Sequence, residues 1–276
     1  MVKKPVQVIA VTGGKGGVGK TNCSVNMAIA MAAEGRNVLL MDADLGLANV
    51  DVLLGLRPMY NLSHVLDGVC TLEDAVIIGP HGVQIIPASS GIKRMAELGP
   101  MEHAGIIQAF SEFKRPVDTL IIDTAAGISD SVISFSQASQ HVLVVVCDEP
   151  ASMTDAYALI KVLNQTSSVD HFHVISNMVR SAQQGRELFE KLMAVTDKFL
   201  DVNMNYLGMV PQDDYLKKAI QRRMSVIDAY PGAPSALAFK KLIAQVEKLG
   251  IPDGPRGNLE FFIERLLERH TQEDCA

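Results

Sequence analysis

The sequence contains no tryptophan and few aromatic residues, five tyrosines and nine phenylalanines in 276 positions. Its core must therefore rest mainly on aliphatic side chains. It is also poor in cysteine: Cys23, Cys70, Cys147 and Cys275 stand far apart, with no paired metal-ligand spacing. That excludes a disulfide framework and a zinc-knuckle pattern, and fits a reducing compartment. Cys23 and Cys147 lie in apolar segments and read as small buried hydrophobes. There is no excess of positive charge either. With 25 Lys and Arg against 31 Asp and Glu, the formal charge is −6, which argues against a general affinity for nucleic acid but leaves a local basic patch open. No stretch of 18 apolar residues occurs, so no membrane-spanning helix is expected. The opening Met-Val-Lys-Lys-Pro leads straight into a strand-like run without a signal-peptide pattern. A cytoplasmic location is the default expectation.

What is present is a large apolar fraction, 48%, with 20% charged residues, enough for a substantial core. Short runs rich in Val and Ile alternate with longer helical patterns. Strands are predicted at Val6–Val11, Val38–Met41, Val83–Pro87, Thr119–Asp123, His141–Cys147, His173–Ser176 and Asn205–Val210. Several are apolar at every position, as parallel strands covered on both faces require. Helices are predicted at Lys20–Ala33, Ala104–Phe113, Ser152–Asn164, Gly185–Phe199, Asp214–Arg222 and Ser235–Leu249. The alternation predicts an α/β fold, a doubly wound, mostly parallel sheet with helices on both faces. Residues 1–250 would form one domain; residues 251–276 would be a Gly/Pro-rich linker and a last amphipathic helix, Asn258–His270.

Directly after the first predicted strand, Gly14 to Thr21 fits G-x-x-x-x-G-K-[ST] in a strand–loop–helix context. Glycines 14, 16, 17 and 19 let the backbone turn tightly and bring N–H groups against phosphate oxygens. Val18 completes the loop. The following helix aims its positive end at the same phosphates. In such a loop Lys20 reaches the β/γ oxygens and the Thr21 hydroxyl sits on Mg²⁺. Downstream, Asp118–Asp123 is an apolar strand ending in an acid, the arrangement by which Asp123 binds Mg²⁺ directly or through water. Asp42 and Asp44 end the second strand, also beside the phosphate site; either can alternatively cap the next turn.

The loop carries a second lysine, Lys15, that an ordinary phosphate loop does not need. Lys15–Thr21 resembles the deviant Walker A motif of the MinD/ParA ATPases. The resemblance covers about residues 6–249. It implies an ATP- and Mg²⁺-dependent homodimer in which Lys15 reaches the partner's nucleotide, Asp44 positions the attacking water and Asp42 lies near the metal. It further implies that Gly127 is the switch II glycine, and that Asn177, Pro211 and Asp213 contact adenine. Asn177 has a competing reading as a strand-end turn residue. Asp148 and Glu149 fall at the family's dimer face, or alternatively form the N-cap segment of the next helix.

Asp42–Leu56, Asp123–Ser131, Cys147–Ile160 and Asn258–Arg265 resemble one branch more closely, the flagellar-number regulators of the FlhG/FleN kind. The implied partners are a flagellar master transcription activator of the AAA+ enhancer-binding type and the flagellar GTPase FlhF. Only about five residues precede the first strand, leaving no room for the N-terminal GTPase-stimulating helix of many members. In the last helix Leu259, Phe262, Ile263, Leu266 and Leu267 form one apolar stripe. The polar face carries Arg256, Arg265 and Arg269 against Glu260, Glu264 and Glu268, so lipid attraction through charge would be near zero. The helix has three alternative fates: peripheral membrane contact on the inner cell surface, at a pole or elsewhere, docking on the body, or docking on a partner. The alternatives to a regulatory switch are a positioning ATPase acting on membrane or DNA cargo and a P-loop metabolic enzyme of the dethiobiotin-synthetase or cobyrinate-amidase sort. The pairs Lys217-Lys218 and Arg222-Arg223, the best candidates for a DNA face, read as a solvated helix surface.

Overall fold

Runs that are apolar at every position become strands buried on both faces. The computed structural model describes residues 4–47, 49–89, 91, 93–252, 254 and 259–267. Its strands are β1 (Gln7–Thr12), β2 (Val38–Ala43), β3 (Ile77–Ile78), β4 (Gln84–Ile86), β5 (Thr119–Thr124), β6 (His141–Val146), β7 (His171–Val179) and β8 (Asn203–Pro211). They form a single sheet in the order β3-β4-β2-β5-β1-β6-β7-β8. Every pairing is parallel except β3 with β4.

Side chains alternate between the two faces, so each strand feeds two cores. On one face Ile9, Val11, Leu143 and Val145 pack against α1 (Lys20–Ala33) and later helices of the chain. On the other, Val8 and Leu120 meet α5 (Pro100–Ala109) and α6 (Asp130–Gln137), while Val142 and Val144 meet α7 (Pro150–Ser167) and α8 (Ala182–Phe199). The first face is completed by α9 (Asp214–Gln221), α10 (Val226–Ala229) and α11 (Pro234–Val246). Helices thus cover both faces, as expected. Among the described residues no helix is long and apolar enough to cross a membrane.

Three differences from the sequence reading have physical causes. The two-residue β3 was not expected, because it is too short to carry an alternation. Nor were α2 (Val50–Leu54), α3 (Leu62–Leu66), α4 (Lys93–Ala96) and α10, each too short to reveal a helical period, or α6, whose Ser-rich stretch carries few apolar residues. The third concerns the last helix. Asn258 and residues 268–270 lie outside the described residues; helix is present at 263–267. A turn at 261–262, with Phe262 at φ 55°, sets the orientation of that helix. As a result Phe261 and Phe262 are buried with Phe110, Phe113 and Phe135, Leu266 is buried too, and Leu259 and Leu267 remain about half exposed. The Arg265 guanidinium donates to the Phe113 carbonyl at 2.8 Å and lies 4.5 Å from the Phe262 ring centre. The expected stripe is therefore split: Phe262 and Leu266 face the protein, Ile263 is half-buried, and only Leu259 and Leu267 face out.

Candidate functional site

The loop between β1 and α1 is shaped by its neighbours as much as by its glycines. A Cβ on Gly14 would lie 2.1 Å from the Asp155 carbonyl in α7, so only glycine fits beneath that helix. Gly17 and Gly19 have φ values of +83° and +92°, in the region that favours glycine. A Cβ at Gly16 or Gly17 would meet no protein atom within 4 Å, so their backbone faces the open cleft. Gly19 is the N-cap of α1 and no side chain caps the helix. Its first N–H groups therefore point into the cleft without a competing acceptor, an arrangement that suits an anion.

Two clefts meet at this loop, sharing Gly17, Gly19, Asn22 and Ile220. One, of about 500 Å³, holds Lys20, Thr21, Asp44 and Thr124. The other, of about 390 Å³, is bordered by Asp148, Glu149, Asn177, Pro211 and Asp213. The structure thus brings together at one sheet edge residues that are nearly 200 positions apart in the chain.

Lys20 is buried and its Nζ lies 3.4 Å from the Lys15 carbonyl. Burial lowers its pKa, opposed by the carboxylates of Asp123 and Asp44. Lys15 behaves differently. Its side chain leaves the loop toward solvent and pairs with Glu149, and that hydrogen bond raises its pKa. Asp44 stands in the cleft; burial raises its pKa, opposed by the Leu47 N–H and by Lys20.

Asp123 is buried at the tip of β5. Its Oδ1 accepts from Ser24 Oγ at 2.8 Å, while its Oδ2 has no hydrogen-bond partner. Burial raises its pKa, and the hydroxyls of Thr21 and Ser24 pull it back. A buried carboxylate oxygen without a donor, beside a hydroxyl and a phosphate loop, suits a hard cation such as Mg²⁺ that takes its remaining ligands from phosphate and water. Ser24 was not anticipated from sequence. Its position one helical turn after Lys20, on the same face of α1, is the signal that points to it.

Asp42 lies beside Asp123 in the register of β2 and β5, near the expected metal position, and its carboxylate is held by backbone donors. Its Oδ1 accepts from the Asp44 N–H at 3.1 Å, and its Oδ2 accepts from Asn49 at 2.8 Å and Val50 at 3.1 Å. It is fully buried and braces the loop that carries Asp44, the capping alternative. Burial and the neighbouring Asp123 raise its pKa; the three N–H groups lower it.

The residues expected at the adenine border the second cleft and also make bonds within the protein. Asn177 donates from Nδ2 to the Val18 carbonyl at 2.7 Å and accepts from the Met178 N–H at 2.9 Å. Asp213 caps α9 through the Tyr215 N–H and accepts from both the N–H and hydroxyl of Ser235, at 2.9 and 2.6 Å. Burial would raise its pKa, but the Ser235 and Tyr215 hydrogen bonds hold it below the usual range. Both residues border the second cleft, and their polar groups are held in place by these bonds. Pro211 ends β8 at the same rim. Asp148 accepts from Gln184 Nε2 at 2.6 Å, so of the expected acidic pair only Glu149 engages a lysine, within the chain. Gly127, at φ +92°, donates its N–H to the Gly13 carbonyl at 3.2 Å, tying the segment after β5 to the phosphate loop.

Known proteins agree with this geometry. A family model described as "ParA: NUBPL iron-transfer P-loop NTPase" matches residues 4–247. The antiactivator FleN of Pseudomonas aeruginosa is 57% identical over 264 residues, covering 96% of this chain and 94% of that protein. The flagellum site-determining protein YlxH of Helicobacter pylori is 31% identical, covering 96% and 91%. Among solved structures, the septum site-determining protein MinD of Pyrococcus horikoshii, complexed with Mg-ADP, superposes with a TM-score of 0.73 at 27% identity, covering 89% of this chain and 97% of that one. At the level of the family, binding of nucleotide and Mg²⁺ and hydrolysis of ATP follow. The chain belongs to the ParA family of P-loop NTPases, within the MinD/ParA ATPases and homologous to the flagellar regulator FleN.

Proposed function

We propose that this ATPase is a slow, partner-regulated molecular switch. ATP makes it a homodimer, and the dimer binds and restrains a flagellar master transcription activator. The 57% identity to an antiactivator supports the regulatory half. The observation that carries the switch half is Lys15: it belongs to the phosphate loop, yet its side chain stands in solvent while Lys20 already occupies the buried position. An exposed cation at that place is free to serve a second copy's nucleotide once it leaves Glu149.

Within one chain, Gly14–Thr21 cradles the phosphates and Lys20 meets the β/γ oxygens. Thr21 and Asp123 would hold Mg²⁺, which would neutralise charge on the phosphates. Asp44 orients the attacking water, and Asp42 keeps Asp44 in place through the backbone bonds of its loop. Gly127 senses the γ-phosphate by exchanging its bond to Gly13 for one to the ligand. Pro211, with Asn177 and Asp213 behind it, shapes the base cleft. Residues 1–250 form the ATPase domain. The segment after it, with Leu259 and Leu267 exposed, is the place where a membrane or a second partner such as FlhF engages.

Light scattering on wild type and Asp44→Ala, without nucleotide, with ADP and with ATP, tests the reading. A dimer formed with ATP alone, and persisting in Asp44→Ala, is expected. The same mass in every condition would sink it and favour a small-molecule enzyme.

A further inference from the structure

Arg223 stands where glycine belongs. Helix α9 ends in a Schellman motif: the Arg223 N–H bonds the Ile220 carbonyl at 2.9 Å and the Met224 N–H bonds the Ala219 carbonyl at 3.0 Å. The residue between, at C′, must be left-handed, and Arg223 has φ +54°. A β-carbon disfavours that conformation, which is why glycine dominates this position. A strained arginine at the edge of a functional cleft is a reason to look for a role.

Its side chain supplies two further observations. The alkyl stem lies over Gly55, whose added Cβ would come 3.3 Å from Arg223 Cδ and 3.4 Å from Arg223 Cβ. Gly55, at φ +65°, is the C-cap of α2, the short helix that follows the Asp44 loop. Two helix ends therefore meet through this one side chain. Arg223 is also exposed and borders the cleft that contains Lys20, Thr21 and Asp44, not the one that contains Asn177 and Pro211. No carboxylate pairs with its guanidinium among the described residues. On a chain of net charge −6, a cation left without a carboxylate at the phosphate end of a nucleotide cleft has a natural anion in the nucleotide itself.

We propose that Arg223 is a nucleotide-contacting residue. Its guanidinium meets a phosphate oxygen of bound ATP from the wall opposite the phosphate loop. Its stem, held against Gly55, draws the end of α9 and the segment carrying Asp44 together over the ligand. This rests on the ATP-site reading above and adds a second cation from the same chain. The pair Arg222-Arg223 is then not a uniform solvated face: Arg222 reaches the Tyr230 hydroxyl at 3.3 Å, and Arg223 turns to the cleft.

The test uses the full chain with a fluorescent ATP analogue and Mg²⁺, comparing wild type, Arg223→Gly, Arg223→Lys and Lys20→Ala, with thermal midpoints measured in parallel. Glycine fits the left-handed backbone, so Arg223→Gly is expected to raise Tm by about 1–3 °C while raising Kd about tenfold. Arg223→Lys should recover part of the affinity without the gain in Tm. Unchanged affinity in Arg223→Gly, with binding lost in Lys20→Ala, overturns the Arg223 role alone. A weaker Kd accompanied by a lower Tm also overturns it, since the stem would then act only through packing. Unchanged affinity in both variants overturns the ATP site as well.

Discussion

The side-chain amide of Asn177 donates to the backbone carbonyl of Val18 at 2.7 Å, bridging 159 positions of sequence to clamp the phosphate loop onto the end of β7. The fit is close: a Cβ on Gly19 would fall 2.3 Å from that same nitrogen. The residue expected at the base also holds the shape of the loop that meets the phosphates. Asn177→Ala should lower ATP and ADP affinity alike, about tenfold. It should also cost about 1–3 kcal/mol of stability, the usual penalty for leaving a buried carbonyl unpaired. Nucleotide titration with denaturant unfolding checks this; intact affinity would leave the clamp without a role in binding.

Asp213 joins two helices, capping α9 and receiving two hydrogen bonds from Ser235 at the start of α11. Its removal should be felt in stability before specificity. Asp213→Ala is expected to lose roughly 2–4 kcal/mol in urea unfolding while retaining its preference for ATP over GTP. A small stability loss with that preference gone would make Asp213 a direct contact to the base.

Glu149 holds Lys15 within the chain. If Lys15 serves a partner's nucleotide, that pair must open on assembly. Glu149→Gln should then lower the ATP concentration needed for dimerisation about two- to fivefold, a modest effect because exposed ion pairs are weak. Lys15→Ala should bind ATP and stay monomeric. Sedimentation across an ATP series reads both, and a normal dimer of Lys15→Ala would remove the cross-interface role.

His173 is buried on β7 near His141 and His171 at the sheet edge opposite the nucleotide clefts, and its Nδ1 has no hydrogen-bond partner. Burial first, then the neighbouring histidines, pushes its pKa down from 6.5 to about 4. The folded protein therefore holds this ring neutral where the unfolded chain would protonate it. Stability should fall as pH drops from about 6.5 to about 4, by up to roughly 3 kcal/mol, and level off below. His173→Gln should flatten that slope in unfolding measurements between pH 4 and 7.

The sheet was legible because its strands had to be. A parallel strand covered on both faces carries an unbroken apolar run, and β1, β2, β5 and β6 each hold one of at least three residues in the letters alone. The phosphate loop was legible for a related reason: backbone N–H groups can approach phosphate only where side chains are missing, so the glycines around Lys20 announce the chemistry. Lys15 stood out as a surplus cation in that pattern. Walker-type Asp123 was readable as a carboxylate at the tip of an apolar run.

Other assignments needed three dimensions, because a polar side chain does not declare in sequence whom it bonds. Asp42 and Asp44 share a strand end, yet the folding of the loop back to Asn49 and Val50 occupies Asp42 and leaves Asp44 in the cleft. Asn177 and Asp213 were placed at this edge from sequence, but the bonds that fix them, to Val18 and Ser235, were not. The apolar stripe of the last helix was visible, but a turn at Phe262 decided which of its members face the core. Periodicity therefore determined the fold, and the spacing of glycines and lysine determined the phosphate-binding loop. Only tertiary structure decided which polar groups remain free to act, because that depends on the hydrogen bonds made by chain segments far apart in sequence.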